Sequence, residues 1–458
     1  MTDFNLKEMF PPVSKAQWTQ QVVADLKGKP FESLKRTSPE GIEIEPFYTA
    51  EDRDGLPQAA DQTVAGRSPG WLTVTRIRFR SAGDTNTALR DALASGADGV
   101  LLDLTGLNKA DTDWKRLLNG LKLSENPIWF QTDGLAQTLV AKLREFLPYQ
   151  LKGGIFEEPF FRYLRFGTPP GDRLAQLAEA TRQTLDSPQF RTITLSSHVF
   201  HNAGANATQE LAFLLNMAVE LYDSLTDAGL SPEQFLTKTT LSVSVGTSYF
   251  TEIAKLRALR LLWQRLVGHY NAPLLNQQSL FVHAQTSTFH DATATPYTNL
   301  LRGTTEAMAA VIGGCNALTV HPYDTVFDEP GAFSGRIARN VSILLKEEAH
   351  LDKTLDPAAG SYYLETLTHQ LAESAWALFL AVEDRGGLQK AFEQGLLRDE
   401  IEKSYQASLE AVKNGRVLVG VTKFRTDEGL ATPPGRQPDE MPDSLPVLPE
   451  RRLAAAFE

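Results

Sequence analysis

The chain has 458 residues, 42% of them hydrophobic and 22% charged, which suits one large globular domain with extensions. Its formal net charge of -11 argues against a nucleic-acid partner, because binding phosphates requires clustered lysines and arginines. A single cysteine, Cys315, excludes an internal disulfide and any site built from several thiolates. The segment Met1–Lys15 does not resemble a signal peptide, and no run has the length of a membrane span, so we expect a cytoplasmic protein without a membrane partner.

The first predicted unit is an N-terminal extended arm, residues 1–69. It contains one amphipathic helix, Ser14–Leu26, with Trp18, Val22, Val23 and Leu26 on one face. A stretch rich in Pro, Gly and acidic residues follows, which is typical of a segment that lies on another surface.

Residues 70–350 alternate short β-branched or apolar runs with helical patterns. Strands are predicted at Trp71–Phe79, Gly99–Leu104, Ile128–Thr132, Gly154–Glu157, Thr192–Ser197, Thr240–Gly246, Ser279–Thr286 and Ala317–His321. This alternation predicts an α/β fold, a (β/α)₈ TIM barrel. A doubly wound open sheet is the alternative, but it would usually show fewer strands and a glycine-rich phosphate turn after the first.

Two units follow the barrel. Residues 351–430 form a predicted C-terminal helical region, with helices at Thr366–Gly386 and within Leu388–Asn414. Residues 431–458 form a Pro-rich tail that we expect to be extended or partly disordered.

Small hydroxylic residues alternate with apolar ones along two of the barrel strands. Thr240, Ser242 and Ser244 share one face of their strand, and the pattern recurs at Thr192, Thr194 and Ser196. Because the apolar face must meet the surrounding helices, we expect these hydroxyls to line a channel along the barrel axis. An edge strand that exposes Ser and Thr to water is the other interpretation. Whether bulky residues such as Phe156, Phe160 and Phe161 fill the channel stays open at this point.

Several motifs resemble the methylmalonyl-CoA mutase family. The longest lie at Tyr297–Asp324 and from Ser334 onward, reading YTNLLRGTTEAMAAVIGGCNALTVHPYD and SGRIARNVSILLKEEAHLDKTLDPAAGSYYLETLTHQLAESAW. Shorter ones are EIAKLRALRLLW, HAQTS and VLVGVTKFR, together with the arm sequence WTQQVVADLKGKPFESL. The resemblance covers nearly the whole chain, and its motifs are highly specific.

The resemblance implies a barrel whose axis takes the pantetheine chain of an acyl-CoA ester. In the family, a flavodoxin-like domain with a DxHxxG motif presents adenosylcobalamin across the barrel mouth. No DxHxxG occurs in this sequence. We therefore expect this chain to bind no cofactor itself, and adenosylcobalamin to be bound by a partner subunit.

The resemblance also implies that catalytic residues are missing. Catalytic chains carry a Tyr-His pair in a segment like SGYHMQEAGA, and the matching SSHVFHNAGA places Val199 at the His position and His198 at the Tyr position. Valine can neither donate a hydrogen bond nor transfer a proton. The segment Trp71–Thr87 lacks the family's active-site tyrosine. Gly154–Gly167 lacks its glutamine and contains Glu157 and Glu158, which would repel a substrate carboxylate.

Four residues remain as candidate substrate- or cofactor-facing remnants: His198, His283, Gln285 and His321. Their simpler interpretation is that they are strand-end residues satisfied by local hydrogen bonds. No spacing of His, Cys or carboxylates indicates a metal site.

These observations predict a small, non-catalytic subunit of a heterodimeric, adenosylcobalamin-dependent methylmalonyl-CoA mutase, paired with a large catalytic subunit. Such a holoenzyme interconverts methylmalonyl-CoA and succinyl-CoA. Two alternatives stay open. One is a catalytic barrel chain of a split acyl-CoA mutase, and the other is a non-catalytic module that binds acyl-CoA.

Overall fold

The predicted strand runs form a nearly closed parallel barrel in the computed structural model, which describes residues 12–56, 67–105, 112–270, 280–426 and 445–458. A short antiparallel hairpin lies in the arm, and the other strands form one sheet. In chain order the strands are β1 (Arg36–Thr37), β2 (Glu43–Ile44), β3 (Leu72–Arg78), β4 (Gly99–Asp103), β5 (Ile128–Gln131), β6 (Gly153–Phe156), β7 (Phe190–Arg191), β8 (Ile193–Ser196), β9 (Thr239–Val245), β10 (Phe281–Thr286) and β11 (Ala317–Thr319). Every predicted run coincides with a strand, which confirms the α/β TIM-barrel fold.

The barrel closes through one interrupted strand. The sheet order is β7-β6-β5-β4-β3-β11-β10-β9-β8, and its two end segments are separated in the chain by Thr192 alone. β7 pairs with β6 and β8 pairs with β9, both in parallel, so the two segments together close the ring. Between β6 and β8 the hydroxyl of Thr194 donates to the carbonyl oxygen of Ile155 at 2.8 Å. A side-chain hydrogen bond therefore replaces a backbone one at this seam.

Helices surround the barrel. In chain order they are α1 (Lys15–Asp25), α2 (Ala82–Ala94), α3 (Trp114–Leu117), α4 (Ala136–Phe146), α5 (Pro159–Phe166), α6 (Arg173–Arg182), α7 (His198–Ala203), α8 (Ala207–Asp227), α9 (Pro232–Thr237), α10 (Tyr249–Gly268), α11 (Thr298–Gly313), α12 (Ala332–Glu347), α13 (Tyr362–Glu383), α14 (Gly387–Glu393) and α15 (Leu396–Lys413). The short helices α5, α7 and α9 were not predicted. In the described residues no helix has both the length and the apolar composition to cross a membrane.

The C-terminal helix α13 packs as an outer layer against α8 and α10. Arg257 of α10 fixes this layer, because its buried guanidinium donates to Glu365 at 2.7 Å and to Asp356 at 3.1 Å. Replacing Arg257 by an apolar residue would leave both carboxylates buried without this cation. The C-terminal helical region is therefore part of the barrel's core and not a separate appendage.

Besides a separate cluster that joins Leu453 of the tail to Val412 of α15, the apolar core has two layers separated by the barrel wall. The larger one lies between the strands and the helices. The smaller one lies inside the barrel and contains Val74, Leu101, Trp129, Phe156 and Ala317, which alternate along their strands with residues of the outer layer. Phe160 belongs to the outer layer and Phe161 packs against it, so of the three phenylalanines considered above only Phe156 points to the axis.

The described part of the arm packs on the barrel through Tyr48, whose ring lies 5.3 Å from that of Tyr363. Helix α1 itself has no buried residue. Its Trp18 contacts only rings of the arm among the described aromatic pairs, with Phe47 at 5.1 Å and Phe31 at 6.4 Å. Of the four residues on the apolar face predicted for this helix, Trp18, Val22 and Leu26 are partly buried and Val23 is exposed.

The described end of the tail, residues 445–458, lies across the loops at the carboxyl ends of the strands. The backbone amides of Leu448, Arg451 and Leu453 donate to the carbonyls of Leu164, Asn202 and Phe289 at 2.7 to 2.8 Å. Leu448 and Leu453 are buried. This end of the tail is packed on the barrel and includes a short 3₁₀ turn at Ala454–Ala456. The segment 427–444 lies outside the described residues.

Candidate functional site

The segment that carries the predicted catalytic loss forms the end of β8 and helix α7. Val199 is buried in the outer apolar layer, between the barrel and its helices. His198, one residue earlier, instead faces the barrel interior, where its ring nitrogens contact Ser244 at 2.7 Å and Ser242 at 2.8 Å. The two neighbouring side chains therefore lie on opposite sides of the barrel wall. Of these two positions, only 198 places its side chain in the interior.

Two of the predicted remnants and two of the predicted lining residues form one hydrogen-bonded chain. It runs from Ser244 to His198, Ser242, His283 and Thr319, with distances of 2.7, 2.8, 2.7 and 2.9 Å. Each neutral imidazole has one donor and one acceptor nitrogen, and each hydroxyl has one proton. Ser242 can donate to only one of the two imidazoles, so at least one of them must donate to its hydroxyl oxygen. All four ring nitrogens are engaged in this chain, and neither ring has a nitrogen left for a ligand.

The interior histidines are neutral at physiological pH. Burial lowers the pKa of His198 well below its usual value, with a further decrease from the neighbouring His283. Burial also lowers the pKa of His283 and of His321 to about 3, and the Arg76 guanidinium contributes in both cases. Such histidines form hydrogen bonds but are uncharged near neutral pH.

The other predicted residues lie at different levels of the interior. Gln285 pairs in register with Ser244 on one side and Thr319 on the other, and it is partly exposed. The Ser196 hydroxyl accepts from the His198 amide at 3.2 Å. Thr240 is completely buried, and its hydroxyl has no partner among the described residues.

Thr192 does not belong to the interior, contrary to the alternation predicted for its strand. Its hydroxyl lies 2.7 Å from that of Thr181 on helix α6, outside the barrel. The strand is interrupted at this residue, and Ile193 also lies in the outer layer. Two successive outward residues shift the alternation by one position, which is the effect of a β-bulge. The prediction for Thr192 was therefore wrong.

Aromatic side chains occupy the barrel axis: Phe156 was considered for this place from the sequence, but Trp129 and Phe281 were missed. Trp129 is 4% exposed and its ring stacks against Phe281, with centroids 6.0 Å apart. Phe156 lies edge-on to His283 at 5.3 Å. Trp129 fits because two nearby positions have no side chains: Gly154, its neighbour in register on β6, and Gly99, two residues before its register partner Leu101 on β4. A Cβ at Gly99 or Gly154 would come within 2.9 or 3.2 Å of the indole.

A polar mouth lies above this aromatic layer. Arg76 of β3, which the sequence reasoning also missed, pairs with Asp103 at 2.8 Å. Burial raises the pKa of Glu158 to about 7, opposed by Ser196 and Arg76. Glu157 was expected to repel a substrate carboxylate, but its carboxylate faces away and accepts from Thr132 at 2.7 Å and from two amides at the start of α4 at 3.0 Å.

This interior does not fit the groups that the family binds. The axis that would take a pantetheine chain contains Trp129, Phe281 and Phe156. His283, expected to face a corrin ring, is buried and both its nitrogens are engaged. Among the described residues, no group of three or more His, Cys, Asp or Glu side chains could hold a metal ion.

Comparison with known proteins agrees with the resemblance found in the sequence motifs. Residues 110–442 match the family model described as methylmalonyl-CoA mutase. The methylmalonyl-CoA mutase small subunit of Porphyromonas gingivalis is 34% identical over 91% of this chain and 70% of its own length. The chain belongs to the methylmalonyl-CoA mutase family. The methylmalonyl-CoA mutase of Cereibacter sphaeroides is 32% identical over 89% of this chain and 64% of its own length.

The large subunit from Porphyromonas gingivalis is also similar to this chain, with 30% identity over 85% of it and 60% of the subunit's length. The chain therefore spans 70% of the first of these mutase relatives and less than two thirds of the other two. Small and large subunits of one organism thus resemble the same barrel.

Proposed function

We propose that this chain is the small, non-catalytic subunit of a heterodimeric methylmalonyl-CoA mutase. In this proposal a large subunit binds adenosylcobalamin and the acyl-CoA and interconverts methylmalonyl-CoA and succinyl-CoA, while the small subunit stabilises it. The observation that carries the proposal is the filled barrel axis, because a stacked Trp129 and Phe281 leave no path for a pantetheine chain. In this proposal the small subunit binds no cofactor, and the partner subunit binds adenosylcobalamin.

The chemistry of the barrel mouth supports the same conclusion. Valine at position 199 lies in the outer apolar layer, where it cannot contact a thioester. His198 is inside the barrel, but both its nitrogens are bonded to serines, so it has no hydrogen bond to offer a substrate carbonyl. Electrophilic stabilisation of a migrating thioester group requires a free donor in the mouth.

The arm supports the partner part of the proposal. Helix α1 has no buried residue, and Val23 on it is 48% exposed. An isolated helix of 11 residues gains little stability from its backbone alone, so an apolar face that is only partly covered favours contact with another chain. The relatives named small and large subunit in Porphyromonas gingivalis suggest a homologous partner.

The test is co-expression with a large mutase subunit from the same genome. We expect the two chains to copurify, and the large subunit alone to be less soluble and less active. Val23→Asp on α1 is expected to weaken copurification at least tenfold, because it would bury a charge in the interface. Leu185→Asp is the matched control, since Leu185 is 39% exposed on the barrel surface. A large subunit that is equally soluble and active alone would contradict the structural role.

Calorimetry separates the proposal from the acyl-CoA-binding alternative. We expect no heat of binding when methylmalonyl-CoA is titrated to millimolar concentration into the isolated small subunit. Saturable binding would show that the axis opens, and it would overturn the argument from Trp129. Mutase turnover by this chain with adenosylcobalamin and a separate cobalamin-binding chain would instead support a split catalytic enzyme.

A further inference from the structure

The polar groups of three side chains converge in the amino-terminal half of the barrel interior: Trp129, Arg191 and Thr240. Gly154 of β6 stands between two of them in register, with Trp129 on one side and Arg191 on the other. Thr240 pairs in register with Phe281. The Phe281 ring stacks on the indole at 6.0 Å and lies 5.2 Å from the Arg191 guanidinium carbon. All three polar groups therefore surround the same aromatic ring.

Two of these groups have no hydrogen-bond partner within the described part of the chain. Trp129 is 4% exposed and Thr240 is completely buried, yet neither the indole Nε1 nor the Thr240 Oγ1 contacts a polar atom there. An indole N–H can only donate. A buried donor is almost always paired, so each one requires an acceptor at this place.

The third group supplies a positive charge. Nη1 of Arg191 donates to the carbonyls of Thr237 at 2.8 Å and Thr239 at 3.1 Å, which leaves the N–H groups on Nε and Nη2 for another acceptor. No ion pair joins Arg191 to a carboxylate among the described residues, and burial lowers the pKa of its guanidinium to about 10. The interior residues nearby, Leu101 and Val74, are apolar.

We propose that Trp129, Arg191 and Thr240 form an internal binding site for a small inorganic anion of the chloride class. The site offers donors and one positive charge in an apolar enclosure, and this combination selects a negatively charged acceptor over a cation. A small ion is required because aromatic rings occupy the axis. Arg191 is only partly buried, so an ion can reach the guanidinium from solvent. In this position the ion neutralises the partly buried guanidinium of Arg191 and fixes the stack of Trp129 on Phe281.

Thermal unfolding tests the proposal with chloride as the probe. We expect the melting temperature to rise with sodium chloride concentration, relative to sodium gluconate at the same ionic strength, because an ion that binds only the folded state stabilises it. Arg191→Met is expected to abolish this difference. Arg385→Met, which removes the same charge from the surface, is expected to retain it. Equal melting temperatures of the wild-type chain in the two salts would overturn the proposal.

A second variant keeps the test informative if Arg191→Met does not fold. Thr240→Val preserves volume, and we expect it to weaken the apparent chloride affinity roughly tenfold through loss of one hydrogen bond. Unchanged affinity in this variant would contradict the assignment. Crystals grown in bromide should show an anomalous peak between Trp129 and Arg191. A peak at the surface alone, or a water in this position, would also contradict it.

Discussion

Trp129→Ala is expected to destabilise the chain strongly, because no neighbouring residue can fill the space. The indole is 4% exposed, and its neighbours Gly99 and Gly154 have no side chains to rotate into the cavity. Replacing a buried Trp by Ala typically lowers the free energy of unfolding by about 3–5 kcal/mol. We expect a loss near the upper end of this range, since rigid strands surround the site and the backbone cannot collapse around it.

Urea unfolding measures this loss, and Trp18→Ala is the control. Trp18 is partly exposed and packs against Phe31 and Phe47 of the arm, so we expect it to cost about 1 kcal/mol or less. Added indole should partly restore the stability of Trp129→Ala by binding in the apolar cavity. A loss below about 1 kcal/mol without any effect of indole would refute the conclusion that Trp129 fills the barrel axis.

Three further predictions concern other buried groups. Lys238→Met should lower the free energy of unfolding by about 3 kcal/mol, because the Lys238 ammonium donates to three backbone carbonyls and all three hydrogen bonds would be lost; urea unfolding checks this. Lys255→Met should cost about 3–5 kcal/mol in the same assay, since Glu210 at 3.2 Å and Glu252 at 2.7 Å would stay buried without a cation. The pKa of His283 is about 3 in the folded chain and near 6.5 when unfolded, so its contribution to stability is complete above pH 6.5 and is lost as the pH falls toward 3. Between pH 7 and pH 5 the wild-type chain should therefore lose about 2 kcal/mol more than His283→Gln, and equal losses in denaturant titrations would contradict the assigned pKa.

The barrel was predictable because each strand carries its own local signal. Runs such as Ile128–Thr132 are short, apolar and followed by an amphipathic helical pattern, so chain order alone gives the alternation of a TIM barrel. The short helices α5 and α7 were missed because they follow strands directly and have only 8 and 6 residues, too few for a periodic pattern to stand out from the preceding strand. The interruption at Thr192 was missed because a bulge leaves the alternating pattern of residue types intact.

The interior could be predicted only in part. Alternation within β9 gives the inward direction of Ser242 and Ser244, and both contact His198 inside the barrel. The aromatic filling depends on residues from separate strands. Trp129 points inward next to glycines that are 30 positions before it and 25 after it in sequence, and this proximity exists only once the strands pair. No local pattern distinguishes it from an outward-facing tryptophan.

The proposal of a non-catalytic subunit rests on two features, Val199 and the filled axis, and they differ in how easily a substitution could change them. A valine at position 199 is a single change, but its side chain lies in the outer apolar layer, so a histidine there would be buried without a partner unless α7 also rotated. The filled axis is a property of several strands at once, since Trp129 requires glycines on both neighbours and stacks on Phe281. A histidine at position 199 alone would therefore leave Trp129 and Phe281 in the axis. If the proposal holds, a barrel that does not admit a substrate can fill its axis and gain the stability of a packed interior, which suits a subunit that supports another chain.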